Sequence, residues 1–551
     1  MNKIAKLSSI IALAVAASSC SDFLDEELKS QLAPDNTYTS SMGFEVGCTG
    51  LYSIARSEYN TWGEKGAFMH NGACAYAVQQ IATDIVFQSG AKDGSLTHYA
   101  NLTMTPSTLF IESYWNWSYA LINSANEVLL YSEKNTNWSK PTDKALYQAE
   151  ARFFRAYAYR SLLYLYGDAP WVETIQQPFV LDFTRTPKDE VYDHVIEDLV
   201  FASEHLPSNP DEVKPGKLTK WAALHLLSEI YLCKKEYEKA RKAAQDIIDS
   251  GYYSLVKERF GAEKSKPGDY FHDMFIENNQ NRTSGNHESI WVMQFEYNTT
   301  GGGSKSDDWT RREWGPQYHS INQFFTVSSE YGGRGLGQIA PFKWWLGTQN
   351  TNATAPAEGP NGIFEATDIR NSEYNFKREW LSNVDATRGQ RVYITDKYWQ
   401  DGWLFPAPTK FFFAHDDNLT ITGSFNDRAK FRLAETYLLL AEAYLGLNDP
   451  ENAAKAVNVV RSRAKASQIT AAQMDMDFLL DERIRELVGE ESRRFTLVRT
   501  GMYVERVKKY NEVLRDKVQP FHALWPIPKT IRDANRDVDF PQNPGYEGAN
   551  N

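Results

Sequence analysis

Two distant stretches of this chain carry the same spacing of apolar and small residues. In the first, Leu224, Leu227, Ser228 and Tyr231 fall at offsets of 0, 3, 4 and 7, which puts them on one face of a helix. A polar turn, Lys234-Lys235-Glu236, follows, and Ala240, Ala244 and Ile247 line one face of a second helix. In the second stretch Tyr437, Leu440, Ala441 and Tyr444 repeat the offsets, followed by Ala453, Val457 and Val460. This is tetratricopeptide spacing, with Ser228 in the small-residue slot and Ala240 and Ala244 letting two helices approach closely. Such a hairpin cannot bury its apolar face alone, so the pairs must stack and the rest of the chain must pack on the stack or hang from it. The expected fold is mainly α: a tetratricopeptide-like helical-repeat scaffold with long irregular loops and a few short strands.

The flanking sequence fits that plan. Helical patterns cover Ser41 to Arg56, Ala73 to Asp84, Glu112 to Tyr131 (with Trp115, Trp117, Tyr119, Asn123 and Asn126) and Ala145 to Tyr166. The last is stopped by Gly167-Asp168-Ala169-Pro170. Pro187 to Leu206 is the next helix, with Thr186 as N-cap and Pro187 at the first helical position. Tyr253 to Asp427 differs in kind: rich in Gly, Asn, Thr, Trp and Pro, with only short β-like runs such as Ser289 to Phe295. Long irregular loops on a rigid stack are commonly where function sits. Helices return after Arg428, through Ala464 and again from Met476 to Gly489.

Composition narrows the function. Across 551 residues, 24% are charged and 42% hydrophobic, an ordinary globular balance, and 13% are aromatic. A net charge of −12 without a long Lys/Arg block argues against nucleic-acid partners. The four cysteines, Cys20, Cys48, Cys74 and Cys233, form no C-x-x-C pair and no zinc spacing, so no metal or other cofactor is expected. Cys233 reads as a small core residue, and Cys48 and Cys74 are left as a pair that an oxidising compartment permits but nothing requires. Residues 1–19 read as a signal peptide: Lys3 and Lys6, then an apolar run from Leu7 to Ala17 too short to span a bilayer. Ala17-Ser18-Ser19-Cys20 reads as a lipobox with Cys20 as the lipidated residue, although Leu rather than Ala is usual at the first position. Residues 20–40 then form an acidic tether.

The C-terminal third runs Phe431-Arg432-Leu433-Ala434-Glu435, Ala441-Glu442-Ala443, Asn458 to Ala464, Asp481-Glu482-Arg483-Ile484-Arg485-Glu486-Leu487, Arg499-Thr500-Gly501, Pro526-Ile527-Pro528 and Gln542-Asn543-Pro544-Gly545-Tyr546. In that order these segments resemble the SusD/RagB family of outer-membrane lipoproteins from Bacteroidetes. The Ser19-Cys20-Ser21-Asp22-Phe23-Leu24 start, Ala149 to Ala156 and Tyr166 to Pro170 agree with it. The resemblance implies a lipid-anchored, surface-exposed outer-membrane protein that captures oligosaccharide and delivers it, as a lid, to a SusC-like TonB-dependent transporter. It divides the chain into an N-terminal helical region at 41–252, a loop-rich ligand-binding region at 253–427 and a C-terminal helical region at 428–551. Peptide capture of the RagB kind is the alternative within binding proteins. Another class is a surface glycoside hydrolase, with Asp307 or Asp308 as one carboxylate and a partner about 5–10 Å away.

A neutral glycan needs flat apolar faces for its C–H surfaces and polar groups for its hydroxyls. Trp309, Trp314 and Tyr318, in the charged loop from Asp307, and Trp344 and Trp345 beyond it, are the candidate faces. The competing reading is that each plugs an irregular loop as a small core. Asp84, Phe87, His98 and Tyr99 border a second candidate loop, to which the resemblance also points; turn and core roles compete there. No catalytic residue is assigned, because Arg432, Glu435, Glu442, Glu482, Arg483 and Glu486 stand at spacings that suit ion pairs within and between helices.

Overall fold

The computed structural model describes residues 34–59, 79–90, 94–175, 180–297, 299, 301–302, 308–415, 418–421 and 423–548. Its longer helices are numbered here in chain order. Helix α1 (Ser41–Arg56) lies against α2 (Ile111–Lys134) and α3 (Asp143–Tyr166), and α3 packs in turn on α4 (Lys188–His205). Helices α5 (Lys220–Cys233) and α6 (Tyr237–Ile248) form the first hairpin, α7 (Leu433–Gly446) and α8 (Pro450–Arg463) the second. Because α6 packs on α7, the two hairpins are neighbours in one stack although the loop-rich region separates them in sequence.

The small residues do what their spacing predicts. Ser228, Ala240 and Ala244 are wholly buried, and Ser228 Oγ donates to the Ala240 carbonyl at 3.0 Å, so the two helices of the hairpin meet backbone to side chain. Where α6 meets α7, a Cβ added at Gly446 would stand 2.2 Å from the Tyr237 ring, too close for any larger residue without movement.

Helix α3 is the centre of the N-terminal half, and nearly every residue from Ala149 on is buried. A helix buried all round must pair its polar groups with its neighbours. Arg155 grips Asp198 of α4 through Nε and Nη2 at 2.7 and 2.8 Å, and Arg160 grips Glu229 of α5 at 2.8 and 3.1 Å. Tyr157 donates to Glu58 at 2.6 Å. The helix ends at Gly167, whose φ of +72° lets the chain turn away.

Among the described residues, six short strands form three antiparallel pairs: β1 (Val86–Gln88) with β3 (Ile339–Pro341), β2 (Ser289–Met293) with β6 (Arg428–Arg432), and β4 (Phe376–Lys377) with β5 (Ala407–Pro408). The β2–β6 pair ties the loop-rich region to the start of α7. The C-terminal half is completed by α9 (Met476–Leu487), α10 (Arg493–Arg499), α11 (Tyr503–Tyr510) and α12 (Lys529–Ala534).

The motif charges are ion pairs, and most of them join separate elements. Glu482 Oε1 accepts from Arg370 at 2.8 Å and Oε2 from Arg461 at 2.8 Å; Glu486 meets Arg370, Arg432 and Arg463. Glu435 pairs with Arg483 at 2.7 Å, and Glu442 with Arg499. Among these motif charges, Arg485–Glu482 is the pair that stays within one helix. Burial alone would raise the Glu482 carboxyl, but the three guanidiniums win and hold it at about 2.

The tail closes the molecule. Gln542 exchanges hydrogen bonds with the backbone of Ile527 at 2.6 and 3.0 Å, and Asn543 Nδ2 donates to the carbonyls of Tyr166 and Trp525 at 3.0 and 2.7 Å. The C-terminal pentapeptide thus fastens the end of α3 to the Pro-Ile-Pro element. One apolar core runs from Phe44 of α1 to Phe540, with a satellite of Val256, Phe271 and Met274.

Helix α4 corrects one expectation. It begins at Lys188, not Pro187, and the Lys188 N–H is capped by Asp168 Oδ1 at 2.9 Å, from the loop that ends α3. Thr186 instead bridges to Ala169. Cys48 is buried and free, while Cys20, Cys74, Asp307 and most of the expected helix from Ala73 lie outside the described residues. Among the described residues no helix is long and apolar enough to cross a membrane.

Candidate functional site

The loop-rich region is built around a buried arginine. Arg311 sends its guanidinium to the carbonyls of Gly332 at 3.1 Å, Arg334 at 3.4 Å and Ile421, binding three loop segments into one platform. Burial, with Arg312 beside it, pushes Arg311 down to about 10. A Cβ at Gly333 would stand 2.5 Å from this guanidinium and 2.9 Å from Ala414. Asp308, also buried, accepts from Arg428 at 2.9 Å and from the Thr310 N–H at 3.2 Å. Its backbone N–H donates to Tyr59 and its carbonyl accepts from Ser424. Asp308 is therefore a structural anchor, with its carboxylate held by groups of its own chain.

That framework carries the half-exposed aromatics. Trp309 lies under the Arg312 guanidinium, 4.3 Å from its ring centroid. Tyr297 and His415 stack in parallel at 3.8 Å and 8°, and Phe425 packs edge-on beneath both at 5.1 and 5.6 Å. Phe425 follows Ser424, the residue bonded to Asp308, so the stacked pair and Trp309 belong to the same hydrogen-bonded platform. Phe412 and Phe413 are half-buried next to it. Tyr297 and His415 were not singled out by their spacing; an available signal was the aromatic run Phe411-Phe412-Phe413-Ala414-His415 inside an irregular loop.

The strand leading to Tyr297 is held by an unusual carboxylate. Asp427 accepts from the Phe295 N–H at 2.7 Å and from Asn281 Nδ2 at 2.6 Å. Burial pushes its carboxyl up to about 6 in spite of both hydrogen bonds, with Glu296 adding to the rise and Arg56 opposing it.

Most of the residues expected to face a ligand are interior. Trp314 is wholly buried against Phe411, and Tyr318 is enclosed by Phe325, Tyr331 and Trp380 with its hydroxyl on the Gly333 carbonyl at 2.7 Å. Trp345 is wholly buried, its Nε1–H on the Ile85 carbonyl at 2.7 Å. These three are the small cores of the loop region and offer no face to solvent. Trp344 is half-buried, but Tyr510 stacks on it at 3.9 Å and its Nε1–H is held by the Asp84 carbonyl at 2.8 Å.

The second group meets the first inside the protein. The β1–β3 pairing sets Phe87 opposite Ala340, and Phe87 packs on Phe342 at 5.3 Å. Asp84 is wholly buried and chelated by Arg493 at 2.8 and 2.7 Å and Arg506 at 2.8 Å. Burial would raise this carboxyl, yet the two arginines hold it at about 2. Tyr99 is buried against Trp525 with its hydroxyl on the Leu109 carbonyl, and only His98 is exposed, its Nδ1 beside Thr103 Oγ1 at 3.2 Å. Asp84, Phe87 and Tyr99 are thus corrected from ligand contacts to core residues. Trp309 remains as the expected aromatic on the platform.

Comparison with known proteins places this architecture. A family model described as "SusD family" matches residues 287–546, and one described as "Starch-binding associating with outer membrane" matches residues 22–232. SusD-like protein P25 of Formosa agariphila is 28% identical over 553 residues, covering 96% of each chain. A SusD homolog from Bacteroides thetaiotaomicron superposes with a TM-score of 0.73 at 19% identity, covering 95% of this chain and 100% of the other. Surface glycan-binding protein A from the same species, solved in complex with laminarihexaose, superposes with a TM-score of 0.67 at 18% identity over 92% of this chain and 100% of the other. With matches on both halves and a shared helical stack, the chain belongs to the SusD family.

Proposed function

We propose that the protein is a surface glycan-binding lipoprotein, anchored through Cys20, that captures oligosaccharide on the loop platform and passes it to a SusC-like TonB-dependent transporter as its lid. The observation that carries this reading is the pairing of Tyr297 on His415 and, joined to it through the Asp308–Ser424 hydrogen bond, Trp309: half-exposed aromatics on loops held by Arg311 and Asp308. Flat faces of this kind suit the C–H surfaces of a sugar, and rigid loops limit the entropy lost on binding. Family membership and a relative solved with a laminarin hexasaccharide support the ligand class. Docking on the transporter is assigned to the helical stack, leaving the loop platform for ligand. No catalytic step is proposed, since Asp308 is held by Arg428 and Thr310.

The test is a glycan array followed by calorimetry on protein lacking residues 1–20. Tyr297→Ala and Trp309→Ala should each weaken binding of the best glycan by about 3- to 10-fold, the range of one aromatic contact. Unchanged affinity in the double variant would remove the platform as the site, and sustained release of sugar would remove the non-catalytic reading.

A further inference from the structure

A cleft that shares no lining residue with the platform lies between α2, the segment 180–183 and α12. It has a volume of about 520 Å³, and among the described residues no charged one lines it. One wall is a single face of α2: Asn116, Ala120 and Asn123 succeed one another, and the small Ala120 makes the depression between the two amides. Seven residues of helix put those amides about 10 Å apart. Trp115, Tyr119, Phe183 and Phe540 supply aromatic surface, with Trp115 buried edge-on against Phe540 at 6.2 Å.

The walls are fixed before any ligand arrives. Asn535 pairs with the backbone of Phe183 in both directions, accepting at 2.7 Å and donating at 3.0 Å, and the Asp537 N–H donates to the Leu181 carbonyl. Tyr119 donates to the Pro170 carbonyl at 2.9 Å, and the Lys529 N–H at the start of α12 donates to the Pro106 carbonyl. Four separate chain segments therefore set the width of the cleft, so little ordering remains to oppose binding.

We propose that this cleft is a second saccharide site, built for one or two neutral sugar rings and independent of the platform. A neutral lining excludes sulfated or uronic sugars, for which no counter-charge is provided. Aromatic walls accept the C–H face of a ring, and the two helix amides, about 10 Å apart, reach hydroxyls at either end of a disaccharide. The choice of a sugar among neutral ligands rests on the glycan-capture reading; the shape and neutrality of the cleft do not.

The experiment measures saturation transfer by NMR to maltose, cellobiose, laminaribiose and lactose, using protein lacking residues 1–20. In a Tyr297→Ala/Trp309→Ala background, at least one disaccharide should still receive transfer. Ala120→Phe, which fills the depression, should abolish that signal, and Asn116→Ala/Asn123→Ala should weaken it about tenfold. Both amides are half-buried on the helix surface, so the second variant carries the test if Ala120→Phe fails to fold by circular dichroism. The proposal is overturned if no disaccharide binds in the platform-null background, if binding there is indifferent to both cleft variants, or if sodium decanoate enters the cleft and no sugar does. Loss of the platform site alone shows as wild-type and Tyr297→Ala/Trp309→Ala proteins behaving alike while the cleft variants still lose signal.

Discussion

Asp84 is wholly buried and Asp427 half-buried, and the two aspartates bend stability in opposite directions with pH. Asp427, pushed up to about 6, is protonated more readily folded than unfolded. Its contribution is present in full below the ordinary carboxylate value and is lost as pH rises through about 6, on the order of 3 kcal/mol for a rise of this size. Asp427→Asn should flatten that part of the profile, which denaturant melts of wild type and variant between pH 4 and 7 would read as a difference vanishing at the acid end. Asp84, held at about 2, contributes stability above its ordinary value of 3.8 that is lost as pH falls toward 2. Asp84→Asn leaves Arg493 and Arg506 buried without their shared carboxylate and should cost about 3–5 kcal/mol, measured by chemical denaturation at pH 7. These roles were not legible in sequence. Trp309 and Trp314 share the same charged neighbourhood in sequence, yet Arg311, Arg312 and Glu313 between them are all buried. What decides the exposure of each Trp is a contact with a distant segment, Ile421 for Arg311 and Phe411 for Trp314, and local spacing carries no information about such contacts.

The helices were legible because their burial is periodic, and α1 spans Ser41–Arg56 just as its pattern predicts. The hairpins were legible for the same reason, since close helix packing demands small residues at fixed offsets. The tightness of the stack gives a prediction at this scale. Gly446→Ala gains about 1 kcal/mol of helix propensity, but its Cβ meets the Tyr237 ring at 2.2 Å. Prying α6 from α7 should outweigh the gain, for a net loss of about 1–2 kcal/mol, and Tyr237→Ala in the same chain should relieve it, as a double-mutant cycle of melts would show. The start of α4 escaped the sequence because its cap, Asp168, stands twenty residues away from the N–H that it satisfies.

At the scale of the molecule, the three regions read from the sequence share one apolar core from Phe44 to Phe540. We expect a single unfolding transition, with fluorescence and far-ultraviolet dichroism melting together, and a fragment of residues 41–252 that does not fold alone.

The clasp made by Gln542 and Asn543 has a consequence for the making of the protein. Gln542 and Asn543 seal the end of α3, which is synthesised hundreds of residues earlier, and they bind the Trp525 and Ile527 carbonyls in the same act. A nascent chain lacks this lock until both residues have left the ribosome, so the end of α3 is fastened late, well after its own helix has formed.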